Sequence, residues 1–144
     1  MAYCTKTDIE KMIPAADVID LTDDEGTGEY IASRVSEAIA QADAEIDGYC
    51  GAKYSVPFTT VPSTVKKCSV DIAVYNLYSR KMEKIPDTRT DRYKNAIRFL
   101  EKVAEGKISI GIDPEPAAST GSSYAECNKT ESDRIFTGTK MRGY

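Results

Sequence analysis

The sequence predicts an all-α fold: a small bundle of about four helices around a central apolar helix, with one short β-strand and an extended C-terminal tail. Three observations carry that expectation. Ile31, Val35, Ile39, Ala42 and Ile46 recur at spacings of four, four, three and four, the period of a helix with one buried stripe. The run from Cys68 to Tyr78 is apolar on nearly every side, as in a helix covered by its neighbours. Tyr93, Ala96, Ile97, Leu100, Val103 and Ala104 share one helical face, opposite Lys94, Arg98, Glu101, Lys102 and Glu105.

Taken in order, Thr7-Asp8-Ile9-Glu10 has the form of a capping box, which predicts a first helix from Asp8 to Ile13, stopped by Pro14. Asp20 to Gly28 is dense in acids and glycine and reads as a solvated loop. The second helix spans about Tyr30 to Tyr49, with Gly48 and Gly51 offering positive-φ positions to end it. Pro57 and Pro62 bound an extended loop. The third helix runs from near Ser63 to about Lys84 and holds the apolar run, with Asp71 and Asn76 its polar exceptions. Pro86 and Asp87 open the fourth, and Gly106 stands where a C-terminal glycine belongs. Lys107 to Ile112 alternates with a period of two, which predicts the strand. Core positions are Ile46, Tyr49, Ile72, Tyr75 and Leu100, with Asp71 as a structural carboxylate.

A chain of 144 residues is one domain by ordinary size and long enough for a real core. Two regions are expected: a helical domain over 1–112, and a linker with a docking tail over 113–144. No apolar run approaches the ~20 residues that cross a bilayer, and the N-terminus lacks a signal-peptide pattern. The net charge of −4 hides an asymmetry. Residues 1–50 hold 12 acids and 3 bases, residues 51–112 hold 6 acids and 12 bases, and residues 113–144 hold 5 acids and 4 bases. The opposite signs can neutralise each other within one fold, or meet head to tail between copies in a ring.

Enzymatic chemistry finds no support in the residues. The chain has no histidine, so a serine or cysteine nucleophile lacks its usual base. Cys4, Cys50, Cys68 and Cys127 are not spaced for metal or redox work and read as reduced thiols of a cytoplasmic setting. The acidic loop places Asp20, Thr22 and Asp24 at the first, third and fifth positions of a calcium loop. The required glycine at the sixth is Glu25, and the bidentate glutamate at the twelfth is Ile31, so the match fails. Asp43 and Asp47 lie at i and i+4 and read as exposed. Asp71 sits in the most apolar helix, where an unpaired carboxylate is costly. It is expected to pair with Lys67 or an arginine of the fourth helix, or to cap the 51–62 loop. No catalytic, metal or cofactor residue is nominated.

An ordered series of segments nevertheless has a likeness. It comprises Met1-Ala2-Tyr3-Cys4, the Ile13-Pro14 stop, Leu21 to Gly28, Ala42 to Tyr49, Tyr54-Ser55-Val56-Pro57, Asp71 to Tyr78 and Gly106 to Gly111. With Arg134-Ile135-Phe136 and Met141-Arg142-Gly143-Tyr144 it resembles the Mu-like phage and prophage small head–tail connector, or adaptor, family. The resemblance implies an all-helical virion protein of the neck, made in the bacterial host cytoplasm. It implies a homo-oligomeric ring, a dodecamer, beneath the portal protein, supporting a downstream neck or tail-completion protein. Genome DNA would pass through with only nonspecific contact, past a lumen to which Asp23, Asp24 and Glu25 contribute repulsion. No membrane, cofactor or catalytic residue is implied.

The tail suits docking onto the portal through Arg134, Ile135, Phe136, Met141, Arg142 and Tyr144. Each large apolar anchor contributes about 1.5–3 kcal/mol if buried, whereas ordering a residue costs about 1–2 kcal/mol. Ile135, Phe136, Met141 and Tyr144 cannot fix 32 tail residues alone, so a partner edge or many tails in one ring has to help. The rival reading is a small helical nucleic-acid-binding or regulatory protein that uses Lys94, Arg98 and Lys102. Glu101 and Glu105 on the same face weigh against it.

Overall fold

The computed structural model describes residues 2–81 and 84–114. Five helices follow one another: α1 (Lys6–Glu10), α2 (Ala15–Thr22), α3 (Ala32–Cys50), α4 (Ser63–Lys81) and α5 (Asp87–Ala104). The tail residues Arg134, Ile135, Phe136, Met141, Arg142 and Tyr144 lie outside the described residues, as does Cys127.

The first helix starts two residues earlier than the Thr7–Glu10 pattern predicts, and a different box caps it. Asp8 accepts the Thr5 backbone N–H at 3.1 Å and the Thr5 hydroxyl at 2.6 Å. Tyr3 and Cys4, just ahead, are 2% and 1% exposed. Cys4 and Ile9 fall at the spacing of a hydrophobic staple around Thr5. Burial of that pair fixes where the chain turns into the helix, so the upstream box prevails.

α1 ends at Glu10 with Lys11 as its C-cap, short of the expected Ile13. Pro14 instead opens α2, a helix unassigned from sequence that takes in Asp20 to Thr22 of the expected loop. With φ −55° and ψ 145° it stands just before Ala15, where a missing N–H costs nothing. Val18, Leu21 and Thr22 of α2 are buried.

α3 carries the expected stripe inward: Val35, Ile39, Ala42 and Ile46 are buried. Its end differs from expectation. Gly48 lies within the helix, and Gly51 has an ordinary φ of −60°. A Cβ at Gly51 would meet the Asp47 carbonyl at 2.9 Å, so space rather than handedness favours glycine there. Gly106 does take the left-handed conformation, with φ +76°. Its N–H reaches Val103 O at 2.9 Å and the Lys107 N–H reaches Lys102 O at 2.9 Å, the paired bonds of a Schellman ending.

α4 touches all four other helices. From Cys68 to Tyr78 every side chain is buried except the partly buried Tyr75 and Asn76. Ile46, Ile72 and Leu100 are fully buried, and Tyr49 is half-buried against the core. Tyr75 stacks on Tyr93 with centroids 4.2 Å apart. α4 is described to Lys81, short of the expected Lys84, which lies outside any helix.

The expected strand at 107–112 does not form. Ile110 is buried, and Ile108 and Ile112 are partly so. The alternation therefore marks one side of an irregular segment laid on the helices. Gly111, at φ +84°, breaks the extended conformation. Among the described residues no strand exists to complete a ladder, and a single strand has no pairing to hold it.

Replacing Ile72 by alanine opens a cavity where collapse is hindered on all sides. The expected loss is about 2–5 kcal/mol of unfolding free energy, read from urea denaturation at constant m-value.

Candidate interaction surfaces

The polar groups of the body are largely spent on holding it together. Asp71, 8% exposed, pairs with Arg92 of α5 at 3.3 Å, one of the partners expected for it. Asp8 also takes Lys66 of α4 at 3.0 Å. The Thr5 hydroxyl and then Lys66 hold its carboxyl well below the usual range.

Asp43 and Asp47 are not simply exposed. Asp43 accepts the Tyr3 backbone N–H at 3.0 Å and the Ser69 hydroxyl at 2.9 Å. Burial outweighs these donors and raises its pKa. Asp47 accepts the Tyr3 hydroxyl, and that hydroxyl accepts the buried Phe58 N–H at 3.1 Å. Tyr3 thus ties the N-terminus to α3 and to the 51–62 loop, with its ring tilted on Phe58 at 5.5 Å. The i, i+4 spacing of the two aspartates was visible in sequence. Their partner forty residues upstream was not.

The acidic loop is likewise organised from within. Asp23 accepts N–H bonds from Gly28 at 2.6 Å and Glu25 at 3.2 Å, and the Thr27 hydroxyl at 3.2 Å. The Gly28 N–H first, then the Thr27 backbone N–H, with the Thr27 hydroxyl, bring its carboxyl down to about 2. Asp24 is clasped by Arg34 at 2.9 Å and Arg80 at 2.7 Å. Lys81 donates to the carbonyls of Asp20 and Asp23. Two of the three acids assigned to a repulsive lumen are therefore engaged in the fold; Glu25 is exposed.

Part of the charge asymmetry is neutralised within the chain, through Lys66–Asp8 and Arg80–Asp24. Lys94, Arg98 and Lys102 stay exposed on α5 and make no ion pair among the described residues. Cys4, Cys50 and Cys68 are buried, and burial pushes each thiol up to about 11, so they are poor nucleophiles at neutral pH.

Open clefts remain at the surface. One, of about 230 Å³ between α4 and α5, has Lys67, Arg92 and Phe99 on its walls. A second, of about 400 Å³, lies beside Lys6, Val18, Glu29 and Tyr30. Others lie between the 54–60 loop and residues 112–114, about 530 Å³, and beside Ala2, Ile39 and Pro57, about 390 Å³. Tyr30 is 37% exposed and lies under the Lys6 ammonium, 3.7 Å from its ring centroid. Sequence reading missed Tyr30 because it stood at a helix boundary, where no period marks the outward residues.

Asp23 carries a pH dependence of definite sign. An unfolded aspartate titrates near ~3.9, above the folded value of about 2. The unfolded state then binds more protons, so this contribution is present above pH ~4 and is lost as pH falls toward ~2. Asp23→Asn is expected to flatten the stability curve across that window, followed by thermal melts from pH 5 to 2. A Tyr3→Phe variant leaves the Phe58 N–H buried without its acceptor; about 1–3 kcal/mol of stability is expected to go, measured in urea at pH 7.

Comparison with known proteins gives the phage affinity directly. Residues 3–127 match the family described as Bacteriophage Mu, Gp36. A Haemophilus influenzae protein, "Mu-like prophage FluMu protein gp36", is 37% identical over 83 residues, covering 58% of this chain and 57% of that protein. "Gene product J" of Escherichia phage Mu is 34% identical over 109 residues, 75% of this chain and 73% of its own length. The chain thus spans little more than half of the first relative and about three quarters of the second. By the extent of the first match and the coverage of the last, the chain belongs to the bacteriophage Mu Gp36 family.

Proposed function

We propose that this protein is a phage structural protein, a head–tail adaptor that forms a ring under the portal, extends the DNA channel and supports attachment of the neck and tail. The single observation that carries the reading is the match across residues 3–127 to a phage Mu family, in the order of segments that resembles small connectors. The helical body is consistent with it. Its carboxylates serve as caps and ion pairs, and its described thiols are buried, which suits a part that is assembled rather than one that turns over. Within this reading, residues 1–112 are the adaptor domain. Residues 113–144 are the linker and docking tail that grips the portal through Ile135, Phe136, Met141 and Tyr144, with Arg134 and Arg142 beside them.

The partners are other copies of the chain, the portal and the next neck component. DNA in the channel makes nonspecific contact only. A second reading, nucleic-acid binding by α5, draws on the exposed Lys94, Arg98 and Lys102. It requires duplex binding that weakens steeply with salt, and an electrophoretic shift assay at low salt that shows none removes it.

Deleting residues 130–144 is expected to abolish capture of purified portal while the helical circular-dichroism signal is retained. Portal capture that survives the deletion removes the tail from the interface.

A further inference from the structure

The α4–α5 cleft holds cations that the fold does not use up. Lys67 is exposed and makes no ion pair among the described residues. Arg92 gives one nitrogen to Asp71 and stays 46% exposed along its side chain. Asn95 adds an amide, and Ala96 and Phe99 supply apolar surface between these polar groups. The volume of about 230 Å³ is below the ~300–1,000 Å³ of small-molecule and cofactor sites. An aromatic side chain with a carboxylate beside it matches both the size and the charge.

The same molecule displays such a group elsewhere. Tyr30 is the one exposed large apolar side chain among the described residues. Glu29 precedes it, and Glu25 stands nearby in the chain; both are exposed and unpaired among the described residues. The Lys6 ammonium lies over one face of the Tyr30 ring, which restricts the side chain and lowers the ordering entropy to be lost on docking.

The two surfaces belong to different parts of one copy. The Tyr30 cleft is built from α1, α2 and the loop before α3, and the receiving cleft from α4 and α5. Lys66 takes Asp8 of α1, whereas Lys67, about 100° further round α4, faces the α5 cleft. The acidic loop is pinned to Arg80 through Asp24, roughly 20 Å along α4 from Lys67 at 1.5 Å per residue.

We propose that the Glu29–Tyr30 corner of one copy seats in the α4–α5 cleft of the next, with Tyr30 against Phe99 and Glu29 toward Lys67 and Arg92. This rests on the ring reading and names the faces that close it. The contact is heterologous, so its repetition generates a ring when the rotation closes. The aromatic anchor supplies affinity, and the charges fix register and exclude wrong pairings. Asp71 at the cleft wall is tied to Arg92, so the arriving carboxylate belongs nearer Lys67.

The test uses the full chain and native mass spectrometry over a concentration series, with circular dichroism on each variant. Glu29→Lys, Lys67→Glu and Tyr30→Ala change exposed side chains. Each is expected to weaken association at least tenfold with helix content unchanged. The double variant Glu29→Lys with Lys67→Glu is expected to recover most of it. A wild-type oligomer that all three single variants still form overturns this interface and leaves the ring reading standing. A wild-type chain that stays monomeric at millimolar concentration and also on the portal overturns both.

Discussion

The architecture depends on one constraint: α4 is apolar around nearly its whole circumference and has to be covered from every direction. α3 and α5 pack on it most extensively, and α1 and α2 lie against it as well. The polar groups of α4 are satisfied by the helices that do the covering. Asp71 meets Arg92 from α5, Ser69 donates to Asp43 on α3, and Asn76 reaches Ala38 O at 3.4 Å. These pairings set the rotational positions of the surrounding helices, which nondirectional apolar contact alone leaves loose.

The all-α class and the three long helices were legible because their periods are long and regular. The stripe through Val35 and Ile46 and the face through Tyr93 and Leu100 each extend over three turns or more. The short elements were harder. Two overlapping capping boxes, Thr5–Asp8 and Thr7–Glu10, compete within six residues, and burial of Tyr3 and Cys4 decides between them. Pro14 reads as a stop, yet the residue type that follows one helix is equally suited to precede another. In 107–112, alternation recorded a half-buried segment but could not say whether a neighbouring strand was present.

The interaction surfaces were less legible for a related reason. Long-range partners such as Tyr3 with Asp47, or Arg80 with Asp24, leave no spacing signature in the sequence. Acids that look solvated along the chain thus prove to be internal fastenings. The charge asymmetry between the two parts of the body resolves into two populations. Asp8, Asp24, Lys66 and Arg80 are consumed within one copy, whereas Glu29, Lys67, Lys94 and Arg98 remain on the surface for solvent or a partner. Membership of the Mu Gp36 family and a body built this way support a protein whose work is done by surfaces.

The central claim is that these surfaces assemble the chain into a ring on the portal. Electron-microscopic imaging of purified portal mixed with the full-length protein examines it most directly. The account predicts a second, closed ring of density coaxial with the portal ring and continuous with its channel. Isolated copies scattered on the portal wall, or a portal without added density at saturating protein, would contradict it.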